Sequence, residues 1–179
     1  MLINMDIEVE VRSFVTGQEY MKLIEFMQKT AEFVKDDYQI TYYFSGEKDL
    51  RVQKSNFYSK IWFKEGQIHD KYRKEIEIKI PKEDFEKLVN LFKTLGFNTE
   101  IEWYRKRLEY KWNNVKVTVN DTKGYGYIVE LEKMSDDKNK EIVYEELTKK
   151  LKELNIKETP SQIFKDKFEF YKKNWRSLI

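Results

Sequence analysis

The sequence has no cysteine and only one histidine, His69, among its 179 residues. The lack of cysteine excludes a disulfide framework and a thiolate metal site, and a lone histidine disfavours zinc. No apolar run approaches the roughly 18 residues that a membrane helix needs, and the charges that alternate through residues 1–11 do not suit a signal peptide. We therefore expect a cytoplasmic protein without membrane contacts, and we expect His69 to be an ordinary exposed loop residue.

The chain also lacks a surplus of charge and lacks segments that break structure. Lys and Arg number 34 against 32 for Asp and Glu, and the net charge of +2 gives no reason to expect general nucleic-acid binding. There are two prolines, six glycines, no repeats and no linker-like tract. We expect a single domain over residues 1–179, with a strand-rich core to about residue 134 and a helical region over 139–179.

Apolar side chains recur at the three- and four-residue spacing of amphipathic helices in four segments. In the second segment Phe85, Val89 and Phe92 lie on one stripe, and Gly96 follows as a C-terminal cap. The basic run over 138–152 is interpreted as the solvated face of the third helix rather than as a nucleic-acid patch. The predicted helices span residues 17–34, 82–95, 140–154 and 161–175.

The segments between these helices alternate with a period of two, which predicts about eight β-strands. Short polar turns at Ser45-Gly46, Glu65-Gly66 and Asn113-Asn114 suit antiparallel connections, and the few helices do not suit βαβ units. The predicted class is α+β. The predicted strands span residues 3–14, 38–44, 50–53, 58–64, 72–80, 98–112, 115–120 and 127–133.

The two faces of these strands differ in chemistry. One face is apolar: Ile7, Val9, Val11, Leu50, Val52, Ile61, Phe63, Ile76, Ile78, Ile80, Leu108, Tyr110, Trp112, Val117, Val119, Val129 and Leu131. The other face is mostly charged: Glu8, Glu10, Arg12, Arg51, Gln53, Lys60, Lys64, Arg73, Glu75, Glu77, Lys79, Arg105, Arg107, Glu109, Lys111, Lys116, Thr118, Asn120, Glu130 and Glu132. A sheet with one solvated face would give the same alternation.

Two features favour an inward-facing charged surface instead. Doublets such as Glu8-Val9-Glu10 and Arg105-Lys106-Arg107 are unlike an ordinary solvated face, and four amphipathic helices need the apolar face as the surface that they cover. Eight strands that close have an interior wide enough for side chains and one extended ligand. We therefore predict a closed eight-stranded antiparallel β-barrel with helices packed on the outside. Its cations match phosphate oxygens and its carboxylates suit Mg²⁺ or Mn²⁺.

Several motifs follow one another in a fixed order along roughly residues 1–134. They are Glu8-Val9-Glu10-Val11-Arg12, Tyr42-Tyr43-Phe44, Asp49-Leu50-Arg51, Trp62-Phe63-Lys64, Arg73-Lys74-Glu75-Ile76-Glu77, Tyr104-Arg105-Lys106-Arg107, Val117-Thr118-Val119-Asn120 and Gly124-Tyr125-Gly126-Tyr127-Ile128-Val129-Glu130-Leu131-Glu132. In this order they resemble the CYTH or triphosphate tunnel family, which includes class IV adenylyl cyclases, thiamine triphosphatases and inorganic or RNA triphosphatases.

The resemblance implies a role for each group of charged residues. Glu8, Glu10, Glu130 and Glu132 would hold one or two Mg²⁺ or Mn²⁺ ions. Arg12, Arg51, Lys64, Arg73, Arg105 and Arg107 would bind the phosphates. Arg107 would also stabilise developing charge, and Glu75 or Glu77 would orient a water molecule or support another ligand. The chain departs from the family pattern at Gln53, where many members have arginine, and at Asn120, where they have aspartate; Asp121 should point to the other face.

The resemblance implies a metal-dependent hydrolase of a triphosphate-bearing substrate, either inorganic triphosphate, thiamine triphosphate or a nucleoside triphosphate. Two alternatives stay open: a class IV adenylyl cyclase that converts ATP to cyclic AMP and pyrophosphate, and a non-catalytic nucleotide or polyphosphate binding module, which Gln53 and Asn120 motivate. The spacing of Phe164, Phe168, Phe170, Tyr171 and Trp175 indicates packing. This tail could pack on the barrel, on a second chain in a homodimer, or in one end of the tunnel.

Overall fold

A computed structural model describes residues 7–46, 49–65 and 72–179, with residues 72–74 described by their backbone alone. That part of the chain contains eight strands and four α-helices. The strands are β1 (Ile7–Val15), β2 (Glu32–Phe44), β3 (Asp49–Lys54), β4 (Ser59–Glu65), β5 (Tyr72–Ile80), β6 (Thr99–Trp112), β7 (Val115–Thr122) and β8 (Gly126–Ser135). The helices are α1 (Gly17–Thr30), α2 (Phe85–Thr94), α3 (Lys140–Glu153) and α4 (Ser161–Leu178).

The strands form one antiparallel sheet in the order β1-β5-β4-β3-β2-β6-β7-β8. Strand β1 pairs with β8 along its whole length, from Ile7 opposite Ser135 to Val15 opposite Tyr127. It also pairs with β5, where Glu8 lies opposite Arg73 and Val9 opposite Tyr72. The predicted α+β class and the eight antiparallel strands are confirmed.

The first predicted helix is too long, and the second predicted strand is too short. Helix α1 ends at Thr30, Ala31 is extended, and β2 begins at Glu32 rather than at Tyr38. The start of β2 pairs with β6, with Phe33 opposite Tyr110 and their rings in edge contact. The apolar residues there continue the helical spacing by chance, and pairing with a long neighbouring strand overrides it.

Helices α1 and α3 cover the apolar face of β1, β6, β7 and β8. Helix α1 begins with a capping box in which Thr16 and Glu19 each accept from the other's backbone N–H, and it buries Leu23 and Met27. Helix α3 buries Leu147 in the same cluster. The outward side chains beneath them include Val9, Val11, Leu108, Tyr110, Val117, Val119, Val129 and Leu131.

The apolar face is covered less completely elsewhere. Helix α2 packs Phe85 and Val89 against Val52 of β3 and Phe44 of β2. On β5, however, Ile76 and Ile78 are 57% and 53% exposed. The expectation that helices cover the whole apolar face is therefore wrong for β5, because three of the helices lie on other strands and α4 packs at one end of the sheet.

Helix α4 packs against this chain's own sheet. Tyr171 donates a hydrogen bond to the carbonyl of Glu102 at 3.0 Å, and the indole of Trp175 donates to the carbonyl of Glu100 at 3.0 Å. Phe164 and Phe168 join the same cluster as Trp103 of β6. Of the alternatives for the C-terminal tail, packing on its own sheet is confirmed.

Of the three strand connections with a predicted turn, the one at Asn113-Asn114 lies wholly within the described residues. Asn113 and Asn114 both have positive φ, 48° and 61°, and form the two-residue turn between β6 and β7 that their sequence predicts. For the Ser45-Gly46 turn, residues 47–48 lie outside the described residues, and so do Gly66 and His69. None of the described helices is long and apolar enough to cross a membrane.

Candidate active site

The inward side chains of the sheet line a cavity of about 360 Å³. Every strand contributes, because side chains alternate across each strand: Glu8, Glu10 and Arg12 point inward while Val9 and Val11 pack outward. Among the residues that the structure describes, the cavity lining contains seven glutamates and eight basic residues. These are Glu8, Glu10, Glu75, Glu77, Glu109, Glu130 and Glu132, with Arg12, Lys35, Arg51, Lys60, Lys64, Arg105, Arg107 and Lys116.

Three of these glutamates form a compact acidic cluster. One carboxylate oxygen from each of Glu10, Glu130 and Glu132 lies within 4.8 Å of the other two. Strand register creates the cluster, because Glu10 lies opposite Glu132, and Glu130 is two residues away on the same face of β8. Three convergent carboxylates suit a hard divalent cation such as Mg²⁺ or Mn²⁺. Glu8, the fourth predicted ligand, lies 4.0 Å from the ammonium of Lys64.

The two glutamates of β1 lack sufficient positive charge around them. Burial raises the pKa of Glu8 to about 7, and the negative charge of Glu132 adds to this rise. Burial also raises the pKa of Glu10, although Arg12 opposes the rise through an ion pair at 3.1 Å. A bound cation would stabilise the ionised form of both side chains, so the donor set fits a metal ion.

The two glutamates of β8 are already neutralised by cations. Arg107 contacts Glu130 at 3.2 Å and Glu132 at 3.1 Å, and Lys116 forms an ion pair with Glu132. Burial alone would raise the pKa of Glu132, but Lys116 and Arg107 outweigh it and lower the pKa to about 2. The pKa of Glu130 is lowered as well, because Arg107 and Arg105 outweigh its burial. The two β8 carboxylates of the cluster therefore stay ionised, whereas burial disfavours the ionised form of Glu10.

Asn120 lies beside this cluster and keeps one oxygen available. Its amide nitrogen donates to Glu130 and to the hydroxyl of Thr118, both at 3.1 Å. Its Oδ1 is buried and has no hydrogen-bond partner among the residues that the structure describes. Asn120 lines the cavity, whereas Asp121 is not among the lining residues, which confirms that Asp121 points to the other face.

The opposite part of the cavity, on β3, β4 and β5, carries paired cations. Arg51 makes two hydrogen bonds of 2.6 Å to the carboxylate of Asp49. Lys60 contacts Glu77 at 2.6 Å, and Lys64 forms an ion pair with Glu75. The two predicted water-orienting glutamates are thus each bound by a lysine of β4. The side chain of Arg73, a predicted phosphate ligand, lies outside the described residues.

Trp62 organises these cations, although the sequence did not indicate its role. Its indole nitrogen donates to Glu75 at 2.9 Å. The ammonium groups of Lys60 and Lys64 lie 4.0 and 4.3 Å from the ring centroid, and the Arg51 guanidinium lies at 4.9 Å. Cations over an indole face are attracted by its quadrupole, so the ring keeps three positive charges close together.

One end of the cavity is aromatic. Phe164 and Phe168 of α4 line it together with Tyr43, Trp103 and Tyr125. Phe164 stacks on Phe14 with the ring centroids 4.4 Å apart. The guanidinium of Arg12 lies 4.3 Å from the Phe164 ring. The C-terminal helix therefore lies at one end of the charged cavity, as well as packing on the sheet.

Sequence reasoning missed the inward face of β2. Lys35, Gln39, Thr41 and Tyr43 line the cavity, and Asp37 is buried between them. The strand was predicted to begin at Tyr38, so its alternation was not followed, and most of these side chains carry no charge. The odd-numbered alternation from Lys35 to Tyr43 was the available signal.

The site is thus a highly charged cavity in which an acidic cluster lies beside several arginines. The sequence model of the CYTH domain matches residues 6–161. A protein of Methanocaldococcus jannaschii named "Putative adenylate cyclase MJ0240" is 36% identical over 165 residues, which cover 84% of this chain and 90% of the relative. The chain belongs to the CYTH family.

Solved structures agree with this assignment. A conserved hypothetical protein from Pyrococcus furiosus superposes with a TM-score of 0.74 at 30% identity, covering 84% of this chain and 91% of the other. The PH1012 protein from Pyrococcus horikoshii gives a TM-score of 0.70 at 27% identity, with the same coverage. The CYTH family comprises metal-dependent enzymes that act on nucleotide triphosphates, and it includes adenylate cyclases and triphosphatases.

Proposed function

We propose that the protein is a metal-dependent hydrolase of a triphosphate-bearing substrate, with the sheet closed into a tunnel around that substrate. Inorganic triphosphate, thiamine triphosphate and nucleoside triphosphates are the candidate substrates. The observation that carries the proposal is the position of the acidic cluster, Glu10, Glu130 and Glu132, directly against Arg105 and Arg107 in one cavity. Metal ligands and phosphate ligands are thereby adjacent.

The proposed roles follow the contacts of each side chain. Glu10, Glu130 and Glu132, with Glu8 nearby, hold Mg²⁺ or Mn²⁺, which when bound neutralises phosphate charge and polarises the scissile bond. Arg107 lies against two of these carboxylates and stabilises the charge that develops as the phosphoanhydride breaks. Arg12, Arg51, Lys64, Arg73 and Arg105 bind the remaining phosphate oxygens. Glu75 or Glu77 orients the attacking water.

The identity of the nucleophile separates hydrolysis from the second candidate function. Attack by water on the terminal phosphate releases orthophosphate, whereas attack by a ribose 3′-hydroxyl on the α-phosphate releases pyrophosphate and cyclic AMP. The name of the 36% identical relative favours the adenylyl cyclase as this second candidate. Gln53 and Asn120 motivate a third, a module that binds a nucleotide or polyphosphate without turnover.

The test is product analysis with a substrate panel. Purified protein is incubated with inorganic triphosphate, thiamine triphosphate or ATP, each with Mg²⁺ or Mn²⁺, and the products are separated by chromatography. The Glu8→Gln, Glu10→Gln double variant is the control. We expect orthophosphate from the wild type alone. Cyclic AMP with pyrophosphate would instead establish the cyclase, and tight binding without turnover would establish the binding module.

A further inference from the structure

The guanidinium of Arg105 is held by the side chain of Gln39 on the neighbouring strand. The two residues are cross-strand partners of β2 and β6. Arg105 donates to Gln39 Oε1 from both Nε, at 3.1 Å, and Nη2, at 2.7 Å. Two N–H groups on one oxygen fix the plane of the guanidinium. Arginine has five N–H groups, so this contact leaves three that are not committed to Gln39.

The side chain of Gln39 is itself held in place by a hydrogen bond to Asp37. Its Nε2 donates to Asp37 Oδ2 at 2.9 Å, and Asp37 Oδ1 accepts the backbone N–H of Asn56 at 2.8 Å. Asp37 and Gln39 are buried, with exposed fractions of 1% and 7%. Both contacts require the same orientation of the Gln39 amide. Its Nε2 is the atom that can donate to Asp37, and its Oε1 is the atom that can accept from the Arg105 guanidinium.

The neutral amide distinguishes Arg105 from the other arginines of β3 and β6. Arg51 is bound by the Asp49 carboxylate, and Arg107 by Glu130 and Glu132. In the described part of the chain, the carboxylate oxygen closest to Arg105 is on Glu130, at 3.9 Å. A carbonyl oxygen orients a guanidinium without cancelling its charge, whereas a carboxylate does both. Arg105 is thus oriented while most of its charge remains available to an anion.

We propose that Gln39 is a positioning residue, backed by Asp37, which aims the Arg105 guanidinium at a phosphate group of the substrate without neutralising it. The inference rests on the proposed function, in which Arg105 binds phosphate. It adds a positioning residue on β2, where the predicted phosphate and metal ligands include no residue. Gln39 acts through Arg105 and need not touch the substrate.

The test is a double-mutant cycle of Gln39→Met and Arg105→Met, measured with inorganic triphosphate as both substrate and calorimetric titrant. Methionine keeps the length of glutamine and removes its hydrogen bonds. We expect Gln39→Met to raise KM and Kd about tenfold with kcat changed much less, because a hydrogen bond to a charged group is lost. In the Arg105→Met background, Gln39→Met should have no further effect on KM or Kd.

Gln162→Met is the matched control, since Gln162 is exposed on α4 and its amide nitrogen donates to Asp166, away from the cavity. If Gln39→Met behaves like this control, or if the two changes add independently, the positioning role is wrong. A wild type that neither binds nor hydrolyses triphosphate would instead overturn the proposed function. Should Gln39→Met not fold, Gln39→Glu replaces it: its carboxylate should raise KM by neutralising Arg105, and an unchanged KM would contradict the inference.

Discussion

Two walls of the cavity differ in the charge that their side chains carry. The acidic wall, on β1 and β8, consists of Glu10, Glu130 and Glu132, whose carboxylates converge within 4.8 Å. The amide wall, on β2 and β3, consists of Asp37, Gln39, Thr41 and Gln53. The acidic wall concentrates negative charge that a cation would balance. The amide wall contains one carboxylate, which is buried, and orients its neighbours through hydrogen bonds.

The difference lies in how each wall satisfies its own polar groups. In the amide wall, Gln53 donates to Thr41 at 2.9 Å and Gln39 donates to Asp37 at 2.9 Å. In the acidic wall, burial raises the pKa of Glu10, and beside this wall, on β7, Asn120 Oδ1 has no hydrogen-bond partner among the described residues. The amide wall, whose polar groups are hydrogen-bonded to one another, holds the site in shape, whereas the acidic wall offers groups that a bound cation would stabilise. The following changes should break or sharpen that contrast.

The largest effect is expected from removing a charge of the acidic wall. Glu130→Gln should lower metal-dependent kcat/KM by about 100-fold or more, because it removes a metal ligand and a partner of Arg107. Activity is measured across a Mn²⁺ titration. Glu146→Gln is the control, since Glu146 pairs with Lys133 outside the cavity. Equal activity of both variants would show that the acidic wall has no catalytic part.

A charge added to the amide wall should change binding and stability in opposite directions. Gln53→Arg introduces the arginine that many CYTH proteins have and should lower the KM for inorganic triphosphate several-fold. Because Gln53 is buried and Lys60 lies opposite it, the change should also cost about 2 kcal/mol of unfolding free energy. Steady-state kinetics and urea unfolding measure the two effects. A raised KM would mean that phosphate does not reach this wall.

Metal binding should stabilise the fold through the acidic wall alone. Mn²⁺ at a hundred times its Kd should raise the melting temperature of the wild type by roughly 5–10 °C. The same addition should have little effect on the melting temperature of the Glu10→Gln, Glu130→Gln double variant. The Gln39→Met variant should respond as the wild type does. Differential scanning calorimetry is the measurement. Equal stabilisation of all three proteins would place the metal elsewhere.

The smallest effect on activity is expected at Trp62. Trp62→Phe keeps an aromatic face for Lys60 and Lys64 but removes the hydrogen bond to Glu75, so KM should rise less than about threefold. Trp175→Phe also removes an indole hydrogen bond, to the Glu100 carbonyl, and serves as the control for stability. A rise in KM that matches this control would mean that Trp62 does not support the site.

The sequence allowed the inward residues of most strands to be predicted, because alternation alone decides which side chains share a face. It could not give register. That Glu10 lies opposite Glu132, or Gln39 opposite Arg105, depends on pairing between segments far apart in the chain. It also failed on β2, where Phe33 and Val34 extend the apparent helix, and on β5, where Ile76 and Ile78 are exposed rather than covered.

The site residues likewise divide into charged ones that the sequence indicated and uncharged ones that it did not. Motif order allowed the charged side chains of β1, β6 and β8 to be selected, and the structure brings Glu10, Glu130, Glu132, Arg105 and Arg107 together. The uncharged supports of these residues carry no comparable signal in the sequence. Gln39, Thr41 and Trp62 acquire a role only through their neighbours in space.

The most direct test is the position of Mn²⁺ in crystals grown with the metal and inorganic triphosphate, located by anomalous scattering. We predict a peak within coordinating distance of Glu10, Glu130 and Glu132, with a phosphate group hydrogen-bonded to Arg105. A peak away from these carboxylates, or a phosphate that does not contact Arg105, would contradict the assignment of metal to the acidic wall and of phosphate to the arginine that the amide wall orients.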